Sequence, residues 1–377
     1  MANTPLNKVR VLIVDDSTFM RKVLERILIS DPQLQVIGHA KDGREAIALA
    51  ESLKPDVITM DINMPHMDGL QATAQIMTAN PRPIVVVSSE SKDGAASTLK
   101  ALELGAIEFV AKPNSAIDLD MQSIREDLLR KVKMAAKVRV VRTASRLAAA
   151  LQSAPSNGTA PIPRPTPIVN RASSVVADQR FPVVVLAAST GGPATVMRLA
   201  PGFTKEFPAA VILVQHMPAA FTTQFAAQLA EFTEIRVKEA ESGDTIQPGC
   251  LYICPGAQHL RVNPLGRVQL DSVSGRIGGY LPNIDVTMES VAAYGGALSI
   301  GVVLTGMGAD GAQGAKAIKR AGGHVIVQDE ATSVIFGMPA EAIKLQAVDQ
   351  VLGLDDIYSA IEKRVIALTR ATPVGVR

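Results

Sequence analysis

Aromatic residues make up only 3% of this 377-residue chain, and tryptophan is missing altogether. Single strands of nucleic acid are gripped largely by stacking bases on aromatic rings, so the scarcity argues against that function. An excess of one charge is missing too. The formal net charge is +2, which supplies little field to hold a nucleic acid or an anionic membrane. Cysteine occurs twice, at Cys250 and Cys254. A zinc site takes about four ligands, and nothing near this pair completes a set, so two reduced thiols in or beside a strand are expected. No apolar run reaches the ~18 residues of a membrane span, and Met1 to Arg10 lacks the apolar stretch of a secretory signal. The expectation is a soluble protein of the reducing cytoplasm, with no nucleic-acid partner and no insertion into a membrane.

Apolar residues are plentiful, at 47% against 20% charged. That suffices for large cores, and the length suits two or three domains. From residue 8 to about 117, short apolar runs alternate with helical periodicity. The strand candidates are Val9 to Val14, Leu34 to Ala40, Val57 to Met60, Ile84 to Ser88 and Ile107 to Ala111. Phe19 to Ile29 and Arg44 to Leu53 are among the helical stretches between them. Five such units predict a flavodoxin-like, doubly wound domain over residues 1–120. Residues 121 to 146 suggest a Lys- and Arg-rich helix, solvated as a linker or serving as a binding surface. Residues 153 to 178, with Pro161, Pro163, Pro165 and Pro167, suggest an extended linker. Together they form a connector over 121–179. Apolar runs resume at Arg180, predicting a second α/β domain with a parallel sheet over residues 180–370, followed by a frayed tail.

In that second half, three apolar strands each run into a reactive side chain. Val183 to Ala188 leads to Ser189, Val211 to Gln215 leads to His216, and Ile300 to Leu304 leads through a Gly-rich turn to Asp310. Open α/β sheets place ligands beyond the carboxyl ends of their strands, so the three would converge. Each has a plainer reading alone. Ser189-Thr190-Gly191-Gly192 also suits a helix cap or a phosphate-binding turn, a strand-end His is often structural, and Asp310 suits a helix cap. All three in one sheet favour nucleophilic acyl chemistry. Their chain order is not that of α/β-hydrolases, and no G-x-S-x-G elbow surrounds Ser189. His259 suits either a groove lining or a surface loop. Asp285 is a rival to Asp310 for orienting the His, or a substrate contact.

The first half gathers a different set at its strand ends: Asp15, Asp16, Asp61, Ser88 and Lys112. Three carboxylates together repel unless a cation sits among them, and an oxygen-only pocket suits Mg²⁺. A carboxylate beside Mg²⁺ and an ammonium can accept a phosphoryl group, because both offset the arriving charge. Asp15 and Asp16 alone could simply cap the next helix.

Val14-Asp15-Asp16-Ser17, Asp61 through Gly69, Ser88-Ser89 and Ala111-Lys112-Pro113 resemble the receiver domain of bacterial response regulators. The resemblance implies that Asp61 is the phosphoacceptor and that Asp16 and Asp61, helped by Asp15, bind Mg²⁺. Ser88 and Lys112 would sense the phosphoryl group, and Phe109 stands at the aromatic switch position. With Ala188-Ser189-Thr190-Gly191-Gly192, Gln215-His216-Met217-Pro218, Pro255 through Leu260, Pro282 through Val286 and Leu304 through Gly311, the whole chain resembles the chemotaxis-type protein-glutamate methylesterases, the CheB family. This implies Ser189 as nucleophile, His216 as general base, Asp310 as its orienting partner, and an oxyanion region at Thr190 and the Met307 backbone. The implied substrates are glutamyl methyl esters, and certain glutamines, on cytoplasmic helices of methyl-accepting chemotaxis receptors. The implied phosphodonor is a histidine kinase, and the esterase step needs no metal. Ala187-Ala188 replaces the usual Gly-Ala, and Ala309 a common Asn; neither change touches a reactive group. The competing expectation is a response regulator whose output domain only binds a partner.

Overall fold

The structure, a computed structural model, describes residues 8–89, 91–112, 121–138 and 180–371. The proline-rich stretch at 153–178 and the tail after Ala371 lie outside the described residues.

The first sheet has strands β1 (Val9–Val14), β2 (Leu34–Ala40), β3 (Val57–Asp61), β4 (Ile84–Ser89) and β5 (Glu108–Lys112) in the order β2-β1-β3-β4-β5. Every pairing is parallel. Helices α1 (Thr18–Ile29), α2 (Gly43–Leu53), α3 (Gly69–Ala79), α4 (Lys92–Glu103) and α5 (Met121–Ala135) cover its faces. Coverage on both sides explains why β3 is buried at every position rather than alternating. The first four helices start on a Ser or Asp whose side chain accepts a backbone N–H of the first turn: Ser17, Asp42, Asp68 and Ser91.

Helix α5 departs from the expected linker helix. Leu128, Val132 and Ala135 are fully buried and join Val11, Ile13, Val85, Val87 and Val110 in one core. The basic residues in this stretch disguised an apolar stripe at helical spacing. Residues 121–135 therefore complete the first domain instead of bridging to the second. The rest of the expected helix, from residue 139, lies outside the described residues.

The second sheet is larger and also parallel throughout. Its strands are β6 (Val183–Ala188), β7 (Ala210–Gln215), β8 (Arg236–Glu239), β9 (Cys250–Ile253), β12 (Ser299–Val303), β13 (His324–Gln328) and β14 (Gln350–Leu352), in the order β14-β13-β12-β6-β7-β9-β8. A separate antiparallel hairpin, β10 (His259–Val262) and β11 (Val268–Asp271), stands beside it. Helices α6 (Gly192–Leu199), α7 (Ala219–Leu229), α8 (Ile284–Gly295), α9 (Ala312–Arg320), α10 (Met338–Lys344) and α11 (Leu354–Ala371) complete the layers. The chain winds outward in both directions from β6, which makes the β12-β6-β7 edge the topological switch point. Cys250 and Cys254 are buried free thiols whose pKa values burial pushes up.

The two domains touch along α4 and α7. The Phe109 and Phe221 rings meet there at 4.4 Å between centroids, and the Gln228 amide donates to Glu103 at 3.3 Å.

Candidate active site and acidic pocket

Ser189, His216 and Asp310 follow β6, β7 and β12, three adjacent strands, so convergence follows from strand order alone. His216 Nδ1 lies 3.1 Å from Ser189 Oγ, and Nε2 lies 2.8 Å from Asp310 Oδ2. The chain turns sharply after Ser189. Gly191 sits at φ +74, and a Cβ there would lie 2.6 Å from Val334. The buried Gln215 staples the two strand ends, donating from Nε2 to the carbonyls of Ser189 at 2.8 Å and His216 at 3.2 Å.

Asp310 is buried and held by three backbone N–H groups. Oδ2 accepts from Ile284 at 2.8 Å; Oδ1 accepts from Asp285 at 3.0 Å and Gly311 at 3.1 Å. Two of these donors open helix α8, so the carboxylate sits on a helix N-terminus. Asp285, the rival orienting carboxylate, faces away from the imidazole. Its Oδ1 accepts the Gly314 N–H at 2.6 Å. Burial, with the Asp310 charge adding, pushes the Asp285 carboxyl up to about 6.

His259 does not line the groove. It is fully buried, its Nδ1 accepts the Asn283 N–H at 3.1 Å, and its Nε2 donates to the Gly275 carbonyl at 2.7 Å. Strand β10 carries it under the loop that joins the hairpin to α8, where both ring nitrogens are used by backbone.

A crevice of about 630 Å³ opens over the Ser189 hydroxyl, walled by Thr190, His216, Tyr280, Met307 and Gly308. Among the described residues, the backbone N–H groups of Thr190 and Met307 donate to no protein acceptor. The opposite wall belongs to the first domain: Glu108, Asp127, Arg130 and Lys131. Tyr280 was not singled out from sequence. Its ring stacks on the His216 imidazole at 4.5 Å and 12°.

In the first domain, carboxylate oxygens of Asp15, Asp16 and Asp61 all lie within 4.8 Å of one another. Lys112 Nζ is 2.8 Å from both Asp15 and Asp61. Burial pushes the Asp61 carboxyl up, against the pull of Lys112. Burial alone would lower the Lys112 ammonium, but Asp61 and Asp15 outweigh it and hold it above its ordinary value. Three carboxylates against one ammonium, all oxygen ligands, fit a divalent cation. Ser88 is buried at the end of β4 and donates to the Gly94 carbonyl at 3.3 Å. Phe109 is also buried, with Lys131 Nζ 5.0 Å above its ring and donating to its carbonyl at 2.6 Å.

A Ser–His–Asp relay at the switch point of a parallel sheet is the equipment of a serine hydrolase, and the acidic strand-end pocket ahead of it is that of a response-regulator receiver. Residues 184–361 match the CheB methylesterase family, and residues 11–125 match the response regulator receiver domain. A protein-glutamate methylesterase/protein-glutamine glutaminase of Halalkalibacterium halodurans is 38% identical over 95% of this chain and 99% of its own length. A protein of the same description from Pyrococcus abyssi is 41% identical over 95% of this chain and 94% of its own. The solved CheB methylesterase catalytic domain of Thermotoga maritima is 39% identical, covering 48% of this chain and 98% of that one, with a TM-score of 0.46. The chain belongs to the protein-glutamate methylesterase/protein-glutamine glutaminase family.

Proposed function

We propose that the chain hydrolyses glutamyl methyl esters, and deamidates particular glutamines, on the cytoplasmic helices of methyl-accepting chemotaxis receptors. The observation that carries this reading is the continuous relay from Ser189 through His216 to Asp310, opening on a crevice. With Nε2–H donated to Asp310, Nδ1 keeps a lone pair for the Ser189 proton. Ser189 Oγ attacks the side-chain carbonyl as His216 takes that proton. The N–H groups of Thr190 and Met307 hold the oxyanion. His216 then protonates methoxide, which leaves as methanol, or the amide nitrogen, which leaves as ammonia. Water repeats the cycle on the acyl-enzyme, freeing the glutamate carboxylate.

The receiver unit spans the first domain through α5, and the catalytic unit runs from residue 180 to about 370. Asp15, Asp16 and Asp61 would hold Mg²⁺, which offsets the charge of an incoming phosphoryl group. Asp61 is the acceptor, a histidine kinase the donor, and Ser88 and Lys112 the groups that meet the phosphoryl oxygens. Strand β5 carries both Lys112 and Phe109, so a change at the pocket reaches the Phe109–Phe221 contact. Phe221 lies on α7, the helix that follows His216. The unphosphorylated receiver, walling the crevice with Arg130 and its neighbours, restricts access by a receptor helix, and phosphorylation loosens it.

A fluorophosphonate probe tests the nucleophile. The full chain is expected to be labelled, and Ser189→Ala is expected not to be. Equal labelling of both proteins contradicts the reading, and no labelling of the second domain alone favours a partner-binding output.

A further inference from the structure

We propose that Tyr280 is a positioning residue for His216, a role that rests on the esterase reading above. Both imidazole nitrogens are engaged within the ring plane, Nδ1 by Ser189 and Nε2 by Asp310. In-plane bonds fix the two nitrogens against a flip but press on neither face of the ring, which leaves small out-of-plane tilting weakly restrained. The Tyr280 ring lies flat against one imidazole face, at 4.5 Å and 12°, and closes that freedom.

The surrounding loop is built to hold this ring. Ile277 and Tyr280 exchange backbone hydrogen bonds, both at 3.0 Å. The Asn283 amide donates to the Ile277 carbonyl at 3.1 Å. The buried His259 ties Gly275 and Asn283 together from beneath, which gives that histidine its function. At its far end, the Tyr280 hydroxyl abuts Gly308. A Cβ there would lie 2.2 Å from the hydroxyl oxygen, and the residue sits at φ +91, so both space and backbone call for glycine.

The same contact favours the charged imidazole. When His216 takes the Ser189 proton, it becomes a cation against the electron-rich face of a phenol. Burial, with the Asp310 charge adding, pushes the Tyr280 hydroxyl up, which keeps the ring neutral through the working range. The face is a property of the ring, so phenylalanine retains it and leucine, an apolar side chain without a ring, does not.

Methanol release from methylated receptor membranes, measured on the full chain with thermal melting as a folding check, tests this. Tyr280→Leu is expected to lower kcat about 5–30-fold with KM within about twofold, and Tyr280→Phe to keep kcat within about threefold of wild type. Fluorophosphonate labelling of Ser189 should slow in parallel in the leucine variant, because that step uses the same base. A leucine variant as fast as wild type overturns the proposal. So does a raised KM at unchanged kcat, which makes Tyr280 a substrate contact, or a phenylalanine variant as slow as leucine, which assigns the role to the hydroxyl. If wild type and Ser189→Ala release methanol equally, the esterase reading itself has failed, whatever the Tyr280 variants do.

Discussion

Replacing Asp310 by asparagine should damage catalysis and stability together. The carboxylate uses both oxygens as acceptors. Oδ2 serves His216 and the Ile284 N–H, while Oδ1 serves the N–H groups of Asp285 and Gly311. An amide has one acceptor oxygen and one donor NH₂, so one side of this cradle must meet a donor with a donor. If NH₂ faces the imidazole, the Ile284 N–H loses its acceptor and His216 can answer only by turning over its tautomer, which puts the proton on Nδ1 and blocks its acceptance of the Ser189 proton. If NH₂ faces away, two backbone donors at the start of α8 and α9 lose their acceptor. An unsatisfied buried polar group costs about 1–3 kcal/mol. Unfolding stability should therefore fall by about 1–3 kcal/mol for one lost acceptor, or about 2–6 kcal/mol for two, in urea titrations. Tautomer loss in a Ser–His–Asp relay costs about 10⁴ in kcat. Methanol release from methylated receptor membranes should drop by that factor, less than for Ser189→Ala. An Asp310→Asn protein with wild-type turnover and wild-type urea midpoint would show that Asp310 neither orients His216 nor anchors α8.

Three further outcomes are expected. Asp61 should take phosphate from a small acyl-phosphate donor only with Mg²⁺ present, and Asp61→Asn should take none; wild-type incorporation into the variant moves the acceptor elsewhere. Deleting residues 1 to about 150 should raise unstimulated methanol release tenfold or more, since even a partial shift from a ~99:1 covered state frees the crevice, and a full reversal needs about 5.5 kcal/mol. A truncated protein no faster than the unphosphorylated full chain assigns the receiver to recruitment instead. Asp285 concerns pH: its carboxyl rises from an ordinary 3.8 to about 6 on folding. Between those values the folded chain holds a proton that the unfolded chain releases, so this group's contribution falls as pH rises through the window and stays unfavourable above it. Asp285→Asn keeps an oxygen for the Gly314 N–H and should stabilise the protein by about 1 kcal/mol at pH 7, allowing for solvent around a partly exposed carboxylate, and by nothing near pH 3. A Tm difference that does not depend on pH contradicts the assignment.

Ser189 and His216 are legible because each sits directly after a buried apolar strand, and Asp310 because it stands one Gly-rich turn beyond another; parallel topology carries these strand ends to one edge. β1 is legible for the same reason and falls where its apolar run begins and ends; the edge strand β2 also lies where the sequence puts it, although only its two ends are buried, and the edge strand β5 lies one residue later. Helix α5 is legible as a helix, but not its place against the first sheet, because its lysines and arginines outweigh a stripe of three buried positions. Short edge strands such as β8 and β14 hold too few apolar residues to announce themselves. The supports of the site were hidden for a different reason. Ile284 and Asp285 reach Asp310 from 26 and 25 residues away, through backbone N–H groups that every residue type offers. Tyr280 comes from a glycine-rich loop with no periodicity, so its place against His216 exists only in three dimensions. His259 was visible as a candidate for chemistry, but only burial shows that both its nitrogens are committed to backbone.

Methanol release from methylated receptor membranes by wild-type and Ser189→Ala proteins tests the serine mechanism most directly. Wild type should release methanol, faster when phosphorylated, and Ser189→Ala should stay at the level of membranes alone. Wild-type-like release by Ser189→Ala would contradict the relay as the source of the activity.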